Sequence, residues 1–430
     1  MRGGERYDAR LSFCVGWTVE YYRKMEFGFW GKLKKPIFAL APMANVTDAA
    51  FRYIIAKYGK FTRPDGTVGG GPDVMWTEFV SCDGLCSEGR EALLQDLRFD
   101  ASERPIVAQF FGAVPEHFYE CAKLAVELGF DGIDINMGCP DKNVLKQGAG
   151  AACIDAPERA KEIIRATQEG AGVLPVSVKT RIGTKRNTLA AWLPLLLAQD
   201  LAAITIHART AKELSLVPAH WEIFHDAVRI RNEVQSGSAK KTLLLGNGDV
   251  ESIEDAAKKA EEYGLDGVMI GRGIFGNPWF FRDADMFRTA GLAYREKSAL
   301  QGACLPKQAS PSPHTYFVGV GASFPHSSQH TKPAPHKFRE EEGLHKESDG
   351  VGADEKLRVM VEHTFLFEEM FRGKKSFDVM KKHYKAYVNG FKGAKELRIR
   401  LMDTKNAQEV ADIVENVHAW HTHRSGAPGR

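Results

Sequence analysis

GFDGIDINMGCPDKNVLKQGAGAACI, residues 129–154, changes character at its centre. The apolar run ending in Asp134-Ile135-Asn136 reads as a buried parallel strand. It breaks at once into Met137-Gly138-Cys139-Pro140, and a basic, glycine-rich loop follows through Gly148 and Gly150. A polar residue and a lone thiol at the carboxyl end of an apolar strand stand where parallel barrels carry their chemistry. No second cysteine lies close enough in sequence to form a metal or redox pair with Cys139. The thiol is therefore suited to donate a proton rather than to bind zinc; the plain alternative is a buried, inert cysteine.

Working outward, short apolar segments alternate with longer amphipathic ones from about Lys35 to Arg272. The strand candidates are IFALA (37–41), DVMWT (73–77), PIVAQFF (105–111), GIDIN (132–136), PVSVKTR (175–181), AAITIHA (202–208), TLLLGN (242–247) and GVMIG (267–271). Between them lie helical patterns such as PEHFYECAKLAVELG (115–129) and ESIEDAAKKAEEYG (251–264). The second opens on acids and stops at Gly264, as helix start and stop signals require. Strands alternating with helices pair in parallel through right-handed crossovers. Eight of them over roughly 240 residues match a (β/α)8 barrel. An open doubly wound sheet is the structural rival, but it concentrates polar strand ends at one switch point, and here they follow nearly every strand. The expected class is α/β: a TIM barrel over 31–290, preceded by an extension (1–30) and followed by a small C-terminal helical domain (353–430).

The segment between those domains has a different composition. Residues 301–350 mix Pro306, Pro311, Pro313, Pro325, Pro333 and Pro335 with Ser, Gly and five of the fourteen histidines. Such a composition buries no core, so 291–352 reads as a low-complexity linker. TRPDGTVGGGP (62–72) reads as a smaller surface insertion. In the helical domain, Arg372 to Arg400 hold ten Lys/Arg against Asp378 and Glu396, with Tyr384, Tyr387 and Phe391 interleaved. Cations on phosphates and rings free to stack would make an RNA-binding face. A solvated helix face with its aromatics turned into the core fits the same pattern.

Bulk properties narrow the class. At 430 residues and net charge +3 the chain can bury a full core, and its charge alone is indecisive. Seven cysteines, odd in number and irregularly spaced, point to a reducing compartment rather than a disulfide framework. Cys82 and Cys86 lack a matching Cys/His pair, so no metal site is expected. No apolar run approaches the roughly 18–20 residues of a membrane span, and the first 24 residues lack a cleavage-like site. The expectation is a cytoplasmic protein with no membrane association and no obligate protein partner.

The strand ends supply a consistent chemistry. Pro42-Met43-Ala44 follows the first strand, with Thr47 the expected N-cap of the next helix. Gln109 on the third can donate and accept, as a flat heterocycle edge demands. Lys179 and Arg181 on the fifth strand are spaced by two and share a side, as do His207 and Arg209 on the sixth. The seventh ends in Gly246-Asn247-Gly248-Asp249 and the eighth in Gly271-Arg272-Gly273. Barrels bind phosphate between those last two loops, where glycines admit the backbone and an arginine adds a charged contact. A cation beside a flavin pyrimidine ring stabilises its reduced form, a role open to Lys179. The residues thus imply a barrel enzyme with a phosphorylated ring cofactor and an acid cysteine.

APMANVTDAAFR, VAQFFGAVPEHF, the INMGCP motif with its downstream K-x-x-x-G-A-G-A, VSVKTRIG, ITIHARTAKEL, GNGDVES and DGVMIGRGIFGNPWFF resemble, in order, the tRNA-dihydrouridine synthases. The likeness spans about Pro36 to Phe281 and returns in MKKHYKAYVNGFKGAKELRIRLM (380–402), similar to that family's tRNA-binding helices. Departures are Ala208 in place of the commoner glycine, AN in APMAN where many members have AG, and the long 301–350 insertion. The resemblance implies reduction of the C5–C6 double bond of particular tRNA uridines by FMN, itself reduced by NADPH or NADH. It implies Cys139 as the acid protonating C5 and Asn136 as a contact to the base. Pro42, Met43, Ala44, Gln109, Lys179, His207, Asn247, Gly248, Asp249, Gly271 and Arg272 would hold FMN. Arg181, Lys381, Lys382 and Lys385 complete the expected substrate contacts. The rivals are an FMN reductase of a free pyrimidine and a non-catalytic RNA-binding protein on a barrel scaffold.

Overall fold

Alternation within single strands builds the barrel. In β1 (Ile37–Leu40), Ile37 and Ala39 turn into the barrel with Trp76, Val107, Leu245 and Met269, while Phe38 and Leu40 pack outward under the helices. The remaining strands are β2 (Met75–Ser81), β3 (Ile106–Phe111), β4 (Gly132–Met137), β5 (Val176–Arg181), β6 (Ala203–His207), β7 (Leu243–Asn247) and β8 (Gly267–Ile270). All pair in parallel from β2 through β8, β8 pairs with β1, and an Ala39–Val74 bridge closes the ring. This is the (β/α)8 barrel. In this computed structural model the described residues are 27–239, 241–288 and 351–425. The expected extension at 1–30 and linker at 291–352 fall almost entirely outside them.

Helices α1 (Ala49–Gly59), α2 (Pro115–Glu127), α3 (Pro157–Ala171), α4 (Leu189–Leu197), α5 (Ile223–Val234) and α6 (Ile253–Glu262) cover the strands. The N-cap of α1 is Asp48, whose carboxylate accepts from Phe51 N–H at 3.0 Å, and not Thr47 as expected. The Thr47 hydroxyl instead accepts from Met43 N–H at 2.8 Å, so it fixes the turn before the cap. Residues of the 62–72 insertion form a mostly exposed antiparallel hairpin, Lys60–Thr62 against Val68–Gly70.

Beyond the barrel, α7 (Ala353–Phe371), α8 (Met380–Tyr387), α9 (Ala394–Met402) and α10 (Ala407–Ser425) follow. Their apolar sides share one core with Ala49, Ala50 and Ile54 of α1 and with Trp279, so the helical region is seated on the first barrel helix. Phe367, Met380 and Tyr384 are wholly buried there, and the Phe367 and Met380 side chains each contribute about 1.5–3 kcal/mol as an upper bound. Tyr384 and Tyr387 are core residues and are not free to stack on bases; of the three interleaved rings only Phe391 is partly open. Among the described residues no helix is long and apolar enough to cross a membrane.

Candidate active site

A cavity of about 1040 Å³ opens at the carboxyl ends of the strands. Register assembles it: Asn136 lies beside Lys179, Arg181 beside His207, and His207 beside Asn247. Pro42, Met43, Asn136, Cys139, Lys179, Arg181, His207, Asn247, Gly248, Asp249, Gly271 and Arg272 all line it. Three sets of expected residues do not. Ala44 lines a neighbouring side cavity, Gln109 is fully buried below the floor, and Lys381, Lys382 and Lys385 sit on α8. Phe79 and Arg209 line the cavity without having been assigned to it from sequence. Arg209 carried a signal, its period-two relation to His207; Phe79 carried none.

Cys139 sits half-buried on a turn that two residues fix. Asn136 Oδ1 accepts from Gly138 N–H at 3.1 Å and from Cys139 N–H at 2.9 Å. Arg181 Nε donates to Gly138 O at 2.9 Å, and its Nη1 donates to Thr210 O and Leu214 O, both at 3.0 Å. Burial raises the thiol pKa above its usual value, with Arg181 and Lys179 only partly opposing the shift. The proton therefore stays on sulfur at neutral pH.

Beneath the turn runs a buried polar chain. Ser177 Oγ donates to Asp134 Oδ1 at 2.5 Å, Gln109 Nε2 donates to Asp134 Oδ2 at 2.6 Å, and Asn136 Nδ2 donates to Gln109 Oε1 at 3.0 Å. Burial pushes Asp134 up to about 6 despite the bonds from Ser177 and Gln109. Gln109 thus orients Asn136 from below, its amide already engaged on both sides.

Lys179 and His207 define the electrostatics of the floor. Lys179 Nζ donates to Asn247 Oδ1 at 3.1 Å, and Asn247 Nδ2 is held by Met269 O at 2.8 Å. Burial, with Arg181 beside it, brings the Lys179 pKa down to about 8. That hydrogen bond uses one of three ammonium donors, leaving capacity for a carbonyl or an anion in the cavity. Burial and the surrounding cations Lys179, Arg181, Arg209 and Arg272 hold His207 far below its usual range, so its ring is neutral. Its Nε2 faces Arg209 Nη1 at 3.2 Å and so accepts, which places the proton on Nδ1.

The last two loops meet at a carboxylate. Asp249 accepts from Arg209 Nη2, from Arg272 Nη2 at 2.9 Å and from Ala219 N–H at 2.9 Å. Partial burial opposes ionisation, but the arginine and backbone bonds hold its pKa below the usual carboxylate value. Gly248 has φ 132°, and a Cβ there would lie 2.8 Å from Ala219 Cβ, so only glycine follows this path. Gly273 is as restricted, since a Cβ would lie 2.4 Å from Val250 O. Arg272 stays mostly exposed and can turn toward an anion while Arg209 keeps Asp249 in place.

These residues fit a phosphorylated flavin: a cavity of ligand size, a buried ammonium with spare donors, and glycine loops beside an arginine. A closed parallel barrel with that cavity and a protonated thiol on its rim is an enzyme of the flavin-dependent oxidoreductase class. The family profile described as Dihydrouridine synthase (Dus) matches residues 39–309. A probable tRNA-dihydrouridine synthase 2 from Bacillus subtilis (strain 168) is 35% identical over 395 residues, 91% of this chain and 97% of the relative. A probable tRNA-dihydrouridine synthase from Staphylococcus epidermidis (strain ATCC 35984) is 35% identical over 404 residues, 93% and 99% of the two chains. One from Staphylococcus aureus (strain COL) is 34% identical over 398 residues, 92% and 97%. The chain belongs to the dihydrouridine synthase family.

Proposed function

We propose that this protein reduces the C5–C6 double bond of uridines in tRNA, with FMN as its flavin and NADPH as electron donor. The observation that carries the reading is Cys139, a protonated thiol held by Asn136 and Arg181 on the rim of the cavity. Bound flavin supplies the hydride that C6 receives. Cys139 supplies the proton for C5, and its raised pKa keeps that proton in place until the ring takes it. Lys179, steadied by Asn247, would donate to the electron-rich edge of the cofactor ring, and neutral His207 would add Nδ1–H. Pro42 and Met43 form the wall from β1. Gly248, Gly271 and Arg272 would surround one phosphate, with Asp249 steadying Arg272 and Arg209 beside it, which favours FMN over a dinucleotide. Asn136 and Arg181 border the space left for the uracil.

The macromolecular substrate is supported by the printed activity of the relatives and by the helical region. Lys382 and Lys385 stand exposed on α8, where phosphates can reach them, whereas a free pyrimidine would leave them without a task. The test is to incubate purified protein, FMN and NADPH with tRNA lacking dihydrouridine, then digest and quantify dihydrouridine by mass spectrometry. Dihydrouridine in tRNA, and none from uracil or uridine, is the expected result. Protein that takes up no FMN, or that reduces free uracil equally well, overturns the proposal.

A further inference from the structure

We propose that Lys375 is a positioning residue for the turn at Pro42–Asn45, the link through which the helical region steadies the wall of the cofactor cavity. The inference rests on the placement of FMN proposed above. Lys375 lies in the turn after α7, and its Nζ is 2.5 Å from Glu78 Oε2 and 2.8 Å from Asp96 Oδ1. Its side chain is 12% exposed and that of Glu78 8%. Glu78 sits in β2 where pairing with β3 slips register between Trp76 and Phe79. Its other oxygen, Oε1, accepts from the backbone N–H of Asn45. Asn45 has φ 54° and closes the turn whose Pro42 and Met43 line the cavity. Phe79, next to Glu78, lines the same cavity. One ammonium from the helical region therefore neutralises the carboxylate that anchors this turn.

Adhesion alone does not require that charge, because the apolar core of α1, α7 and α8 already joins the two parts. The charge matters for Glu78. Asp48 is buried nearby, pushed up to about 7 by burial and by Glu78. Without Lys375, Glu78 would be an uncompensated buried carboxylate next to another and would turn outward toward water, loosening its hold on Asn45 N–H. The turn would keep one side-chain anchor, Thr47 Oγ1 on Met43 N–H.

The test is FMN titration of the full chain, stripped of flavin and followed by flavin fluorescence, on K375M, K375R, E78Q and E78Q/K375M. Losing an anchor of this kind is worth about 1.4 kcal/mol, so K375M should bind FMN about tenfold more weakly, and K375R should restore affinity. A glutamine at 78 is neutral and still accepts from Asn45, so E78Q and E78Q/K375M should bind FMN equally. K375M with parental FMN affinity and only a lowered melting temperature would make Lys375 a plain brace and overturn the inference. So would a weaker E78Q/K375M than E78Q, a comparison that holds even if K375M alone folds poorly. A parental chain that binds no FMN would instead remove the functional proposal, so the two failures are distinct.

Discussion

Arg181 shows how one side chain arranges the site. Its guanidinium holds three carbonyls, Gly138 before the thiol and Thr210 and Leu214 on the loop after β6, so it ties two cavity walls together. A lysine carries the charge but not the planar fork, so Arg181→Lys should slow reduction of tRNA roughly 10–100-fold while flavin still binds. Single-turnover mixing of pre-reduced enzyme with tRNA checks this, and a parental rate would show that the fork is dispensable. Position at a strand end and the period of two are local properties, and they sufficed to bring Asn136, Lys179, Arg181 and His207 to the cavity. Gln109 obeyed the same rules yet lies one layer lower, because it is level with Asp134 and not with Asn136. That stagger belongs to the closed barrel and is not written in any one strand. Arg209 remained unassigned for a related reason: its partner, Asp249, lies 40 residues away.

At the scale of elements, helix α8 carries the contrast between a charged face and a buried one. Tyr384 and Tyr387 are in the core, so recognition by α8 falls to its cations. They are unequal: Lys381 is 21% exposed and 2.5 Å from Asp378, whereas Lys382 and Lys385 are open. Neutralising Lys382 and Lys385 should weaken tRNA binding and reduce the salt slope by about two, since each phosphate contact adds about 0.9, with Lys381 adding less. Binding across a salt series checks this; an unchanged slope would make α8 a solvated face and revive a free pyrimidine as substrate. The strands were legible because each is apolar and bounded by glycine or polar residues. The side of α8 facing inward was not, because lysines and tyrosines interleave with no clean apolar stripe, and α1 and α7 decide it.

Across the whole molecule, barrel and helices meet at a buried aromatic cluster. The His363 ring lies 5.6 Å from Phe51 and 4.8 Å from His383, and neither His363 nitrogen has a hydrogen-bond partner. Burial lowers His363 to about 3 and holds His383 well below its usual value. A folded pKa below the unfolded value of about 6.5 means stability is fully present above that pH and is lost as pH falls toward 3. Asp48, Asp73 and Asp134, raised to about 7, 6 and 6, act in the opposite sense, and their contributions cancel in a difference between variants. His363→Phe should gain on the parent by about 3 kcal/mol between pH 7 and pH 4, read from denaturant unfolding. A constant difference across that range would mean the ring already titrates normally in the fold. The reaction itself is tested most directly by following both half-reactions of Cys139→Ala holoenzyme through flavin absorbance. Reduction by NADPH should proceed at the parental rate, and reoxidation by tRNA should fall about 10²–10⁴-fold with a matching loss of dihydrouridine. Reoxidation by tRNA at the parental rate, with dihydrouridine formed, would contradict Cys139 as the proton donor.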